Sequence, residues 1–195
     1  MTHAAGFVVA VIGVIHLVCN IRVSNPLVFT SAVFYGLSLI SLYACSALSH
    51  WYHDSPLRTR FRQLDQAFIF LVIVATYTPF SLAHLDAAWW WILLASMWTI
   101  AVYGFLSKLF FGQKVENVTI WIYMLLGWMP ALGGAFFASE MPFSAAASIM
   151  GGGFFFSIGA VFLILDAKCW FFHPIWHVMV IAGSAVHYWG VMHCL

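Results

Sequence analysis

Charge is what this chain has least of. Asp, Glu, Lys and Arg make up 7% of its 195 residues, where soluble domains carry about 25%. Hydrophobic residues account for 64%, and the mean hydropathy is +0.98. No soluble fold of this length hides so much apolar surface, so the chain reads as an integral membrane protein, helical or a closed barrel. The long apolar runs lack period-2 alternation, which favours helices over a barrel. There is no basic cluster or basic aromatic stretch to hold nucleic acid, and a net charge of +1 points to no partner. The cysteines, Cys19, Cys45, Cys169 and Cys194, lack CxxC spacing and read as small buried or interfacial hydrophobes. The first apolar stretch has neither the basic lead-in nor the cleavage pattern of a secretory signal. It is expected to be a retained helix, with a cytoplasmic leader very short or missing.

What is present is a series of apolar runs. A helical span needs about 20 apolar residues, and punctuation gives seven, roughly 4–21, 27–49, 65–84, 88–107, 117–138, 142–165 and 173–193. Asn25-Pro26, Asp54-Ser55-Pro56, His84-Leu85-Asp86, Gly112-Gln113-Lys114, Glu140-Met141-Pro142 and Asp166-Ala167-Lys168 separate them. Trp89, Trp90 and Trp91 read as an interfacial cluster. The expectation is a single all-α domain over 1–195, a seven-transmembrane-helix bundle.

The basic residues orient it. Arg58, Arg60, Arg62, Lys108, Lys114 and Lys168 are assigned to the loops after spans two, four and six, and only Arg22 to the others. The split of six to one predicts a cytoplasmic N-terminus and an outside C-terminus. Ser46 and His50 near the end of span two, Asp65 opening span three, and His173 and His177 opening span seven then share one layer just inside the inner leaflet. Polar side chains at membrane depth mark function by default.

Residues four apart share a helix face, so His173 and His177 can chelate one ion. Pro174 is expected at the first helical position, leaving His173 near the N-cap. His50 supplies a third nitrogen, and Ser46 lies one turn deeper on its face. Three neutral imidazoles with an open position are the ligand set of catalytic zinc, which lowers the pKa of its water to about 7. Asp65 is then placed to orient that water or act as base, and Ser46 to hold the water or a carbonyl. The plainer alternative stands beside it: interfacial histidines, His50 as a helix C-cap, and Asp65 paired with Arg60 or Arg62.

The other histidines read differently. His53 is expected to face the loop, and His187, about 15 Å beyond His177, to make an interhelical hydrogen bond, as is His16. His84 and His193 fall on the outer side, and His3 on the inner side as a disfavoured extra ligand. Gly127, Gly133, Gly134, Gly151, Gly152, Gly153 and Gly159 read as close helix packing. Pro130 and Pro79 are expected to kink spans five and three.

These motifs resemble a known family over essentially the whole chain. Ser46-Ala-Leu-Ser-His50, Leu64-Asp65-Gln-Ala-Phe-Ile, Thr76-Tyr-Thr-Pro79-Phe and His173-Pro-Ile-Trp-His177-Val-Met-Val-Ile-Ala-Gly-Ser-Ala-Val-His187 look like the bacterial hemolysin III family. That family falls within the progestin and adiponectin receptor superfamily, distantly similar to alkaline ceramidases. Thr2-His3-Ala-Ala-Gly6 also looks like the family's Thr-His-Gly segment, without its acidic leader. The resemblance implies seven helices, a cytoplasmic N-terminus, and zinc at His50, His173 and His177 with Asp65 and Ser46 beside a zinc-bound water. Gln66 stands where many members have His, and Ala4 where many have Gly.

The expected function is a zinc-dependent hydrolase of a lipid amide or ester in the inner membrane, with membrane lipid as partner. The alternative is a receptor-like regulator of membrane fluidity or energetics with structural zinc. A cytolysin is the least physical reading, because no water-soluble amphipathic form is evident. Ion transport lacks a mid-span charge or an inverted repeat.

Overall fold

The computed structural model of the protein describes residues 2–53, 56–112, 116–133 and 140–195. Among them are seven α-helices and no strand: α1 Thr2–Asn20, α2 Pro26–Trp51, α3 Pro56–His84, α4 Ala88–Phe111, α5 Glu116–Trp128, α6 Phe143–Ile164 and α7 Phe172–His193. All but α5 are long and apolar enough to cross a membrane.

Local chemistry sets the boundaries. Pro26 occupies the first turn of α2, and the Asn25 side chain accepts from the Leu27 amide at 2.9 Å, satisfying an otherwise orphaned donor. α4 stops at Gly112, whose φ of 39° lies in the left-handed region that glycine enters without a Cβ penalty. A Cβ there would also lie 2.0 Å from Gln63 Nε2.

The fifth expected span, 117–138, differs. α5 has 13 residues and tightens at Met129 into a 3-10 turn ending at Gly133. Pro130 lacks the amide proton an α-helix needs, and its ring clashes with the preceding turn, so the helix ends there instead of kinking. Pro79, by contrast, sits inside a continuous α3. Residues 134–138 of that span, Gly134 among them, the turn residues Asp54 and Ser55, and Gln113 and Lys114 lie outside the described residues.

Two charge assignments change as well. α3 begins at Pro56, so Arg58, Arg60 and Arg62 stand in its first two turns and Asp65 in its third, well inside the helix. Lys108 is not in a loop. It is buried in the last turn of α4, with Nζ donating to Gln66 Oε1 at 2.9 Å. The long stem follows apolar surface while the ammonium finds a polar partner.

The helices form a ring. α1 packs between α2 and α7, α2 against α3, α3 against α5, α5 against α6 and α6 against α7, while α4 lies outside against α3 and α5. Tyr35, Phe80, Leu17, Met97 and Leu126 are fully buried between the helices. Val9, Ile12, Leu37, Ile92, Tyr103, Trp121 and Phe154 are exposed, as helices facing lipid require. The four cysteines are free.

Candidate metal centre

α2 ends and α7 begins at the same end of the ring. His50 is the next-to-last residue of α2; His173 is the second of α7, and His177 follows one turn later. One nitrogen from each of the three lies within 4.8 Å of the others. Ring centroids are 5.4 Å apart for His50 and His173, 5.1 Å for His50 and His177, and 4.6 Å for His173 and His177. His50 is exposed, His173 half-buried and His177 buried. α7 starts at Phe172, so Pro174 occupies its third position and not its first; that position still belongs to the turn whose amides have no helical partner.

Each α7 histidine is oriented from outside the trio. His177 Nδ1 lies 2.9 Å from Thr2 Oγ1. His173 Nδ1 lies 3.2 Å from Asp166 Oδ2, in the 3-10 turn before α7. A carboxylate only accepts, so His173 Nδ1 carries the proton and Nε2 keeps its lone pair. Histidines that bind metals are characteristically held this way, by a partner on the second nitrogen. Two imidazoles so directed, with the His50 imidazole beside them, are a donor set that fits zinc.

Asp65 and Ser46 belong to the same neighbourhood. Ser46 is fully buried, hydrogen-bonds the Asp65 carboxyl, and lies 2.6 Å from His3 Nδ1. With the Ser46 proton donated to the carboxylate, His3 Nδ1–H donates to Ser46 and His3 Nε2 keeps a lone pair. That Nε2 is buried without a hydrogen-bond partner, and the His3 ring stacks on His177 with centroids 3.6 Å apart. The sequence reading gives His3 only as a disfavoured extra ligand and assigns no role at the site to Thr2 or Asp166. Their signal was present: His3 and Thr2 at the inner end of α1, and an acid seven residues before His173.

The trio opens on a cavity of about 710 Å³, within the range of small-molecule sites. Its lining runs from His50, Asp65 and His173 past Tyr77 and Phe156 to His187. Gly127 lines it too and has nothing within 4 Å of where a Cβ would stand, so its role is not close packing. Gly159 does pack closely, with Trp176 2.8 Å from the same point. His53 is exposed near the Trp51 carbonyl. His16 bridges α1 to Tyr188 at 2.8 Å, and His187 reaches the Ile149 carbonyl of α6 at 3.1 Å.

Residues 1–188 match the family model described as "Haemolysin-III related". The chain is 32% identical over 196 aligned residues to "Hemolysin-3" of Bacillus cereus, covering 98% of this chain and 88% of that one. Identity to the "Hemolysin-3 homolog" of Bacillus subtilis is 26%, over 98% and 90% of the two chains. The human "Monocyte to macrophage differentiation factor" is 29% identical, over 83% of this chain and 68% of its own. No solved structure matches.

Proposed function

This chain belongs to the haemolysin-III-related family, and on that footing we propose that it hydrolyses a lipid amide or ester in the bacterial inner membrane, at a zinc held by His50, His173 and His177. In this reading residues 1–195 form one domain of seven spans, α5 contributing to the fifth. The six-to-one distribution of basic residues read from the sequence supports a cytoplasmic N-terminus and an outside C-terminus, with Lys108 counted at the end of α4 and not in a loop. The site then opens near the inner leaflet, where lipid carbonyls lie.

The observation that carries the proposal is the meeting of three imidazoles with Asp65 on one cavity large enough for a lipid chain, with Ser46 buried behind the carboxyl. Zinc bound there would act as a Lewis acid, polarising a carbonyl and lowering the pKa of water. Asp65 accepts a proton as the water oxygen bonds to the carbonyl carbon, and returns it to the nitrogen or oxygen that leaves when the C–N or C–O bond breaks. Ser46, itself held by His3, fixes the direction of the carboxylate. The apolar lining takes the acyl chain.

The test is release of fatty acid from an N-acylsphingosine in mixed micelles, read by mass spectrometry on purified protein. Wild type should release it. Asp65→Asn should keep its zinc and lose about 10²-fold or more in rate. Full activity in that variant, or no turnover of any amide or ester in a broad screen, would end the hydrolase reading.

One feature favours a structural zinc instead. α1, α2, α7 and the turn before α7 all reach the trio, so an ion there ties several helix ends together. A regulator of membrane state built this way would lose its fold or signal with the metal and show no hydrolysis.

A further inference from the structure

α3 opens with arginine at alternate positions, Arg58, Arg60 and Arg62, and all three are exposed. A helix brings residues four apart back to one face and turns the residue between them away. Arg58 and Arg62 therefore share a face that Arg60 does not. The cavity divides them the same way: Arg58 and Arg62 line it, and Arg60 does not. The stripe they begin continues through Asp65, Ile69, Ile73 and Tyr77, which line the cavity too. Along the helix axis Arg62 precedes Asp65 by about 4.5 Å, and Tyr77 follows Asp65 by about 18 Å. One wall of the cavity thus runs from cations, past the carboxyl beside the histidine trio, into an apolar stretch.

The cationic end adjoins the trio. Both guanidinium charges act on His50, and that of Arg62 acts on Asp65. The two acids of the lining are already engaged, Asp65 by Ser46 and Asp166 by His173. Among the described lining residues the permanent cations Arg58, Arg62 and Lys108 outnumber those acids, so this end of the cavity favours an anion. A guanidinium carries five N–H donors in a planar fork that matches phosphate, and one protein partner does not saturate it.

We propose that Arg58 and Arg62 form a headgroup subsite for phosphate, and that the cavity selects a lipid phosphorylated a few bonds from its acyl linkage. The proposal rests on the reading that the cavity takes a lipid chain, and not on hydrolysis. The phosphate of such a lipid lies on the two arginines, its amide or ester carbonyl near Asp65 and the trio, and its acyl chain along Ile69 and Ile73. A neutral headgroup leaves both guanidinium groups to other partners. Arg60 supplies an internal comparison. It carries the same charge at the same depth on another face, so a general attraction to anionic lipid at the membrane surface would involve it equally.

An N-acylsphingosine and its 1-phosphate differ only in the phosphate and suit the test. Their equilibrium binding to the full chain, purified in a nonionic detergent, is measured by displacement of a fluorescent N-acylsphingosine. Wild type should bind the 1-phosphate at least about tenfold more tightly, the scale of one charge-assisted hydrogen bond. Arg58→Gln and Arg62→Gln should each reduce that preference, and the double variant should abolish it while still binding the neutral lipid as wild type does. Arg60→Gln should leave it unchanged. Inorganic phosphate at the same concentration should displace neither lipid; displacement of the 1-phosphate by it would make the subsite one for free phosphate and overturn the lipid assignment. Equal affinities in wild type, a preference that survives in the double variant, or an equal loss in Arg60→Gln overturn the proposal and leave the lipid cavity intact. Binding of neither lipid overturns both together. Binding with the expected preference but without turnover ends the hydrolase reading alone.

Discussion

Thr2 Oγ1 lies 2.9 Å from His177 Nδ1, across 175 residues of sequence. The contact ties the first turn of α1 to the most buried of the three clustered histidines. With Nδ1 engaged, Nε2 is the nitrogen His177 offers to a metal. The N-terminal turn is therefore part of the centre and not a neighbour of it.

Removing that hydroxyl should weaken the metal without unfolding the protein. Thr2→Val keeps the shape and loses the hydrogen bond; Asp166→Ala does the same to His173. Partners of this kind are worth about 10- to 100-fold in metal affinity. Zinc titration against a chelator of known affinity should show a loss of that size in each variant, with melting temperature little changed. Unchanged affinity in both would mean the trio needs no outside orientation.

His3 should matter differently. It stacks on His177 but lies outside the trio, and its hydrogen bond runs to Ser46, which holds Asp65. His3→Gln is expected to retain about one zinc per chain while turnover of a lipid amide falls by about 10²-fold, the scale of a misplaced general base. Loss of zinc in this variant would instead make His3 a ligand.

Two glycines make opposite predictions for stability. A Cβ on Gly104 of α4 would sit 2.4 Å from the Phe70 ring of α3, and overpacking of that kind costs about 1–3 kcal/mol. Gly127 of α5 has open space around it, and alanine is the better helix former by roughly 0.5–1 kcal/mol. Thermal melting in detergent should place Gly104→Ala below wild type and Gly127→Ala at or above it. Equal melting temperatures for the two would contradict the packing described for α3 and α4.

The helices were legible because a lipid-facing span must be apolar along its whole length, and composition alone records that. The end of α5 was not, because apolar residues continue past Pro130 and hide the backbone break that proline causes. Lys108 was misplaced for a related reason: its charge suggested a loop, while its long stem allows the ammonium to reach Gln66 from inside α4. His173 and His177 could be paired from helical periodicity, and His50 joined them through the expected topology. Thr2 and Asp166 escaped, and His3 stood only as a disfavoured ligand, because their partners are set by how α1 and the turn before α7 pack, and no local spacing encodes that. Gly127 was read as packing, when the cavity beside it has no sequence pattern of its own.

The central claim is that His50, His173 and His177 hold zinc. Elemental mass spectrometry of detergent-purified protein, prepared without chelators, tests it most directly when wild type is measured beside His177→Ala. The account predicts about one zinc per wild-type chain and its loss in the variant. Wild-type protein without stoichiometric metal, or a variant that keeps it in full, would contradict the account.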